Sequence, residues 1–257
     1  FRWEFAERTV ESSSVNPRVA VILEPYDAGI TKLMGGKAFR APSIYERFYQ
    51  SSVQATSLDL APEQVLSAEI EHTHRFTKAV VGTAAVFTNY VTGLVVGRGA
   101  GTETDPFFFV NSPTPVLTVG GEIEARREWR DGWMLGASYS VQRTQYLDPA
   151  PEDGFEDGAE VPNSPTHLGA VKGAVPIVGR SLMAMSRVTM ASQRYDRNET
   201  VDDPPQSTTG GALLWDLVFC GVVMADSVPY NFGFYNISDW RYRAPVSGEF
   251  RMLGVPQ

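Results

Sequence analysis

Between Trp133 and Leu147 the hydrophobic side chains fall on alternate residues: Trp133, Leu135, Ala137, Tyr139, Val141 and Leu147 share one face, and Ser138, Ser140, Gln142 and Thr144 share the other. A period of two marks a β-strand with one apolar and one wet side, because successive side chains of an extended backbone point in opposite directions. The segment before it repeats the pattern, with Leu117, Val119, Ile123, Ala125 and Trp129 against Thr118, Glu122, Glu124, Arg126 and Glu128. Arg127 breaks the apolar face near its end, where a long side chain can reach an interface. Helical periodicity is scarce. The same reading predicts strands near 1–10, 16–26, 30–40, 65–76, 79–97, 115–129, 133–147, 164–176, 181–197, 211–224 and 230–243.

The connections between these strands are of two kinds. Asp27-Ala28-Gly29, Thr77-Lys78, Arg130-Asp131-Gly132, Val178-Gly179-Arg180 and Ala225 to Pro229 read as short turns. Ala41 to Gln64, Arg98 to Thr114, Asp148 to Asn163 and Asn198 to Gly210 are long, polar and rich in Gly and Pro. Short and long alternate, so one end of the predicted sheet carries tight turns and the other carries loops. Outer-membrane barrels have that asymmetry, with short periplasmic turns and long external loops. Trp129 and Trp133 flank one tight turn on the apolar face and Phe76 stands beside another, as an interfacial aromatic girdle requires. The predicted strands also exceed the five or six residues usual in globular sheets.

The chain is 43% hydrophobic and 11% aromatic over 257 residues, with a mean hydropathy of only −0.17, too polar for a bundle of membrane helices. Ala79 to Gly97 is uncharged and about long enough to cross a bilayer as a helix, but its Val, Thr, Phe, Tyr and Gly suit a pleated strand better. A net charge of −8 without a clustered basic surface excludes a nucleic-acid partner. The single cysteine, Cys220, cannot form an internal disulfide and reads as small apolar filler. No signal peptide is visible: Phe1-Arg2-Trp3-Glu4-Phe5 already alternates like the middle of a strand, so a piece of something longer is expected.

The most specific stretch is Lys37-Ala38-Phe39-Arg40-Ala41-Pro42-Ser43-Ile44-Tyr45-Glu46-Arg47-Phe48-Tyr49, followed by Leu60-Ala61-Pro62-Glu63 and a strand carrying Glu69. Further on stand Asn163-Ser164-Pro165-Thr166-His167-Leu168 and Tyr235-Asn236-Ile237-Ser238-Asp239-Trp240-Arg241-Tyr242. In order and spacing these phrases resemble the barrel of TonB-dependent receptors, from about Asn16 to Gln257. The resemblance implies an all-β, antiparallel transmembrane barrel. The segments found here would form about eleven strands of a 22-stranded wall, as one domain over 1–257. It also implies a plug domain and a TonB-contacting segment outside these residues. The implied role is import of a scarce nutrient, such as a ferric siderophore, across the outer membrane of a Gram-negative bacterium. The implied partners are the small-molecule ligand, outer-membrane lipid and the TonB complex.

Pro42 stops the ladder because it lacks an N–H, and Phe39, Tyr45, Phe48 and Tyr49 suit the outer interface. In a functional reading of the same stretch, Arg40, Tyr45, Arg47 and Tyr49 line a ligand vestibule, where guanidinium and phenol groups suit anionic, aromatic iron chelates. His72 and His74 form an i, i+2 pair with the geometry of a metal clamp, but their face also carries Ile70 and Phe76, so packing at the interface is the expected role. No metal site, cofactor loop or catalytic set is expected: Gly97-Arg98-Gly99-Ala100-Gly101 has the wrong spacing for a dinucleotide, and no nucleophile elbow or metalloprotease helix occurs. The rival readings are a passive porin or adhesin-like barrel and, in another class, a soluble β-rich binding domain.

Overall fold

The computed structural model describes residues 15–129, 132–154, 156–196, 207–224, 228–244 and 255–256. The strand expected at 1–10 lies outside them, as do turn residues Arg130 and Asp131 and most of the turn from Ala225 to Pro229. The described strands are β1 (Arg18–Tyr26), β2 (Gly29–Arg40), β3 (Glu63–Arg75), β4 (Val80–Thr92), β5 (Val95–Arg98), β6 (Phe108–Asn111), β7 (Val116–Glu128) and β8 (Met134–Tyr146). They continue with β9 (His167–Val178), β10 (Leu182–Ala191), β11 (Arg194–Asp196), β12 (Ser207–Thr209), β13 (Ala212–Val223), β14 (Val228–Phe234), β15 (Arg243–Ala244) and β16 (Val255–Pro256).

Ten of these strands form one antiparallel sheet in the order β1-β2-β3-β4-β7-β8-β9-β10-β13-β14, so neighbours along the chain are neighbours in space. The remaining pairs, β5 with β6, β11 with β12 and β15 with β16, stand apart from it. The central strands β3, β4, β7 and β8 are 13 residues long. At roughly 3.3 Å per residue and a tilt of about 40°, such a strand climbs about 33 Å, enough to cross an apolar band of about 25 Å.

Register decides what each face carries. Val21, Leu33, Ile70, Val86, Gly121 and Val141 lie in one row across β1, β2, β3, β4, β7 and β8. The five large side chains of this row are between 39% and 58% exposed. The next row, on the opposite face, carries Lys32, Glu71, Ala85, Glu122 and Ser140, and Lys32 Nζ donates to Glu71 Oε1 at 2.7 Å. A sandwich would bury the apolar rows against a second sheet. Here they are open, and among the described residues the buried hydrophobics are only Leu60, Ala85, Val116, Tyr146 and Ala174. No helix among the described residues is long and apolar enough to cross a membrane, which says nothing against strands; Val80–Thr92, inside the uncharged segment, is itself a strand.

Three predicted strands need correction. The segment 79–97 breaks at Gly93, whose φ of +67° suits glycine, and the chain resumes as β5. The segment 181–197 breaks between β10 and β11, where the Ser192 N–H donates to His167 O at 2.8 Å. The segment 230–243 begins at Val228 and ends at Phe234. Beyond it Asn236 and Asp239 adopt φ of +50° and +46°, and Asn236 Oδ1 accepts the Trp240 N–H at 3.0 Å. Tyr235 to Tyr242 is therefore a turn docked on the end of β13, where the Ile237 N–H donates to Trp215 O at 2.8 Å.

Candidate ligand vestibule

Three of the long connections, 41–64, 98–114 and 148–163, lie at one end of the sheet and are bonded to one another, with the Phe107 N–H donating to Val53 O, the Ala55 N–H donating to Phe107 O, and Arg98 donating to Asp153. Ser43 caps the short helix α1 (Ile44–Phe48): its hydroxyl accepts the Glu46 N–H at 3.1 Å, and the Glu46 carboxylate accepts the Ser43 N–H at 2.6 Å. Burial alone would push the Glu46 carboxyl up, but the Ser43 N–H, the Ser43 hydroxyl and the Arg40 guanidinium outweigh it and hold it below the usual range. Arg40, directly across from Glu63 in the ladder, donates to Glu63 at 2.6 and 2.8 Å and to Glu46 at 3.0 and 3.1 Å. Glu63 also accepts the Val95 N–H at 2.8 Å. Arg40 is thus a clasp between β2, the helix and β3, its charge already matched by two carboxylates.

The other three vestibule candidates lie on α1 or at its end. Tyr45 and Tyr49 face each other with ring centroids 4.9 Å apart, and Phe109 stands 6.1 Å from Tyr45 with Phe107 5.0 Å beyond. Tyr45 and Tyr49 are 43% and 47% exposed, so the edges of this aromatic cluster reach solvent, while the Tyr45 hydroxyl donates to the buried Gln54 Oε1 at 3.3 Å. Arg47 donates to Leu58 O and lies 5.5 Å from the centre of the Phe48 ring. Arg40 and the Tyr45–Tyr49 pair therefore belong to one loop but to different contacts, with Arg40 turned to the carboxylates.

Residues that the pattern did not single out hold the loops in place. Asn111 donates to Ala61 O at 2.9 Å and to Gly93 O at 2.7 Å, and accepts the Ala61 N–H at 2.7 Å. Asp153, 2% exposed, accepts from the Ser112 hydroxyl at 2.8 Å, the Thr114 N–H at 3.2 Å, the Thr114 hydroxyl and Arg98. Burial opposes the Asp153 charge, but the Thr114 and Ser112 hydroxyls, Arg98 and the Thr114 N–H hold the carboxyl below its ordinary range. Below the loops, a cleft of about 580 Å³ opens beside Met34, Ser67, Glu69, Phe87, Asn89 and Glu122.

The family model for TonB dependent receptor-like β-barrels matches residues 2–237. The chain belongs to the TonB-dependent receptor family. None of the curated proteins matches it in sequence. Among solved structures, the FrpB iron transporter of Neisseria meningitidis is 14% identical with a TM-score of 0.69, the match covering 95% of this chain and 37% of that one. The ferric-catecholate import receptor Fiu of E. coli K12 is 15% identical with a TM-score of 0.70, covering 96% and 34%. The P. aeruginosa receptor FpvA, bound to heterologous pyoverdines, is 14% identical with a TM-score of 0.66, covering 96% and 32%. These likenesses establish a shared fold, and the chain spans about a third of the length of each of the three. The ten-stranded sheet is thus part of a TonB-dependent receptor barrel wall, with its apolar rows outward and its charged rows toward the lumen.

Proposed function

We propose that this wall belongs to an outer-membrane importer that captures a scarce metal chelate, of the ferric siderophore class, and is energised through the TonB complex. The observation that supports this most is the polarity of the sheet within the family fold: open apolar rows on one side, charged rows on the other, and bonded loops gathered at one end. The loop end forms the outer vestibule, where Tyr45, Tyr49 and Arg47 offer phenol and guanidinium groups to an anionic, aromatic chelate while Arg40 holds the loop to β3. Lipid surrounds the apolar rows, and TonB acts on parts of the receptor beyond this wall.

The test is binding by the full-length protein in detergent to a panel of ferric siderophores, haem and cobalamin. A ferric chelate is expected to bind in the micromolar range or tighter, with Tyr45→Ala and Tyr49→Ala each weakening it several-fold. Absence of binding across the whole panel would overturn the substrate class.

A further inference from the structure

On the outward face, at the tight-turn rim, three side chains converge on one point. Tyr26 ends β1 just before the turn at Asp27 and Ala28. Leu23 pairs with Thr31 but Tyr26 pairs with Gly29, a register shift of one residue. A bulge of this kind re-aims a side chain, and here it brings the Tyr26 phenol onto the face of His72 and His74. Gly29 leaves the room: a Cβ at that position would lie 2.3 Å from Tyr26 Cζ, a clash.

The result is a close set of donors. Tyr26 Oη lies 2.8 Å from His72 Nε2 and 2.9 Å from His74 Nδ1. The two imidazoles are stacked at 24° with centroids 6.5 Å apart. The second nitrogen of His72, Nδ1, lies 2.8 Å from Thr31 Oγ1, and Phe76 packs edge-on against His74 at 4.5 Å. Imidazole nitrogen and carboxylate oxygen bind zinc at about 2.0–2.2 Å, so donors around one tetrahedral ion stand roughly 3.3 Å apart. The oxygen–nitrogen separations here need to open by only about 0.5 Å to reach that spacing.

We propose that Tyr26, His72 and His74 form a binding site for a divalent late transition ion of the copper(II) or zinc(II) class, outside the lumen and separate from the chelate vestibule. The neutral imidazoles supply lone pairs through His72 Nε2 and His74 Nδ1. The Tyr26 O–H bond breaks as the metal–oxygen bond forms, its proton passes to water, and a water molecule completes the coordination. With the ion on His72 Nε2, the proton stands on Nδ1 and is donated to Thr31 Oγ1, 2.8 Å away, a contact of the kind that fixes the tautomer of a ligating histidine. Tyr26 is 46% exposed, which gives the ion access from the aqueous side of the rim. Among the described residues no three of His, Cys, Asp and Glu form a competing metal cluster.

The probe is copper(II), titrated into chelator-stripped, full-length protein in detergent and followed by calorimetry and visible absorption. One ion per chain is expected, with a phenolate-to-copper absorption that Tyr26→Phe abolishes. His74→Gln should weaken binding at least ten-fold, and Thr31→Val about ten-fold with the absorption kept. His72→Gln substitutes where His74→Gln does not fold, and heat-modifiable gel mobility reports folding of each variant. No saturable copper(II) binding by the parent protein, or parental affinity and spectrum in Tyr26→Phe and His74→Gln, would overturn the site.

Discussion

Ser112 and Thr114 are deeply buried, at 2% and 1% exposure, and both are polar. They can be buried because Asp153 accepts from each of them, while Arg98 balances its charge. Asp153→Asn keeps the shape but removes the charge that the part-exposed Arg98 and the two hydroxyls face, and weakening hydrogen bonds to a charged acceptor of this kind costs about 2 kcal/mol of local stability. Hydrogen exchange in 98–114 and 148–163 should rise in that variant, with the strands unchanged. The parent's pH dependence follows from the same contacts. Because the folded-state carboxyl is held below its ordinary range, its contribution is complete above that range and is lost only as pH falls through the lowered value. Loop protection should therefore persist through mildly acidic solution and disappear in strong acid. The sequence marked this stretch only as an acidic loop, since the partners of Asp153 lie 39 to 55 residues away.

At the scale of elements, the hairpin frame was legible because its causes are local. Period-two alternation placed seven of the ten long strands to within a few residues at both ends and only the starts of the other three, and glycines and short polar pairs marked the described turns. The ends of strands were harder. β14 stops at Phe234 although Tyr235 to Tyr242 continues an aromatic pattern, because left-handed Asn236 and Asp239 and the bonds from Asn236 to Trp240 fold it back. The aromatic and basic content of 40–49 was equally visible. That Arg40 would be taken up by Glu63 was not, because the pairing rests on the register of β2 with β3; the Ser43 to Glu46 capping box was readable as a motif. Lysine at Ile70, in the middle of the outward row, should cost about 2–4 kcal/mol, whereas lysine at Ser140, on the lumen row beside Glu122, should change stability by less than about 0.5 kcal/mol. Equilibrium unfolding in micelles distinguishes the two.

For the whole molecule, polarity is inverted relative to a soluble protein. Leu60, Ser112, Thr114 and Asp153 are buried among the loops, and the open sheet face carries the large hydrophobics, including Ile70, Val86, Ile123, Leu135 and Phe232, each at least 51% exposed. Aromatic side chains rim this face at both ends: Phe76, Trp129 and Trp133 by the tight turns, with Arg127 4.4 Å above the Trp129 ring, and Trp215, Phe234 and Trp240 by the loops. Such an arrangement is stable where the surrounding medium is itself apolar between two polar boundaries. The decisive measurement is a nitroxide scan along β8 in the full-length protein reconstituted in lipid, comparing collision with oxygen and with a water-soluble nickel chelate. Labels at Leu135, Ala137, Tyr139 and Val141 should favour oxygen, and labels at Ser138, Ser140 and Gln142 should not, giving a two-residue period. Equal accessibility at all seven positions, or a reversed phase, would contradict a lipid-facing sheet.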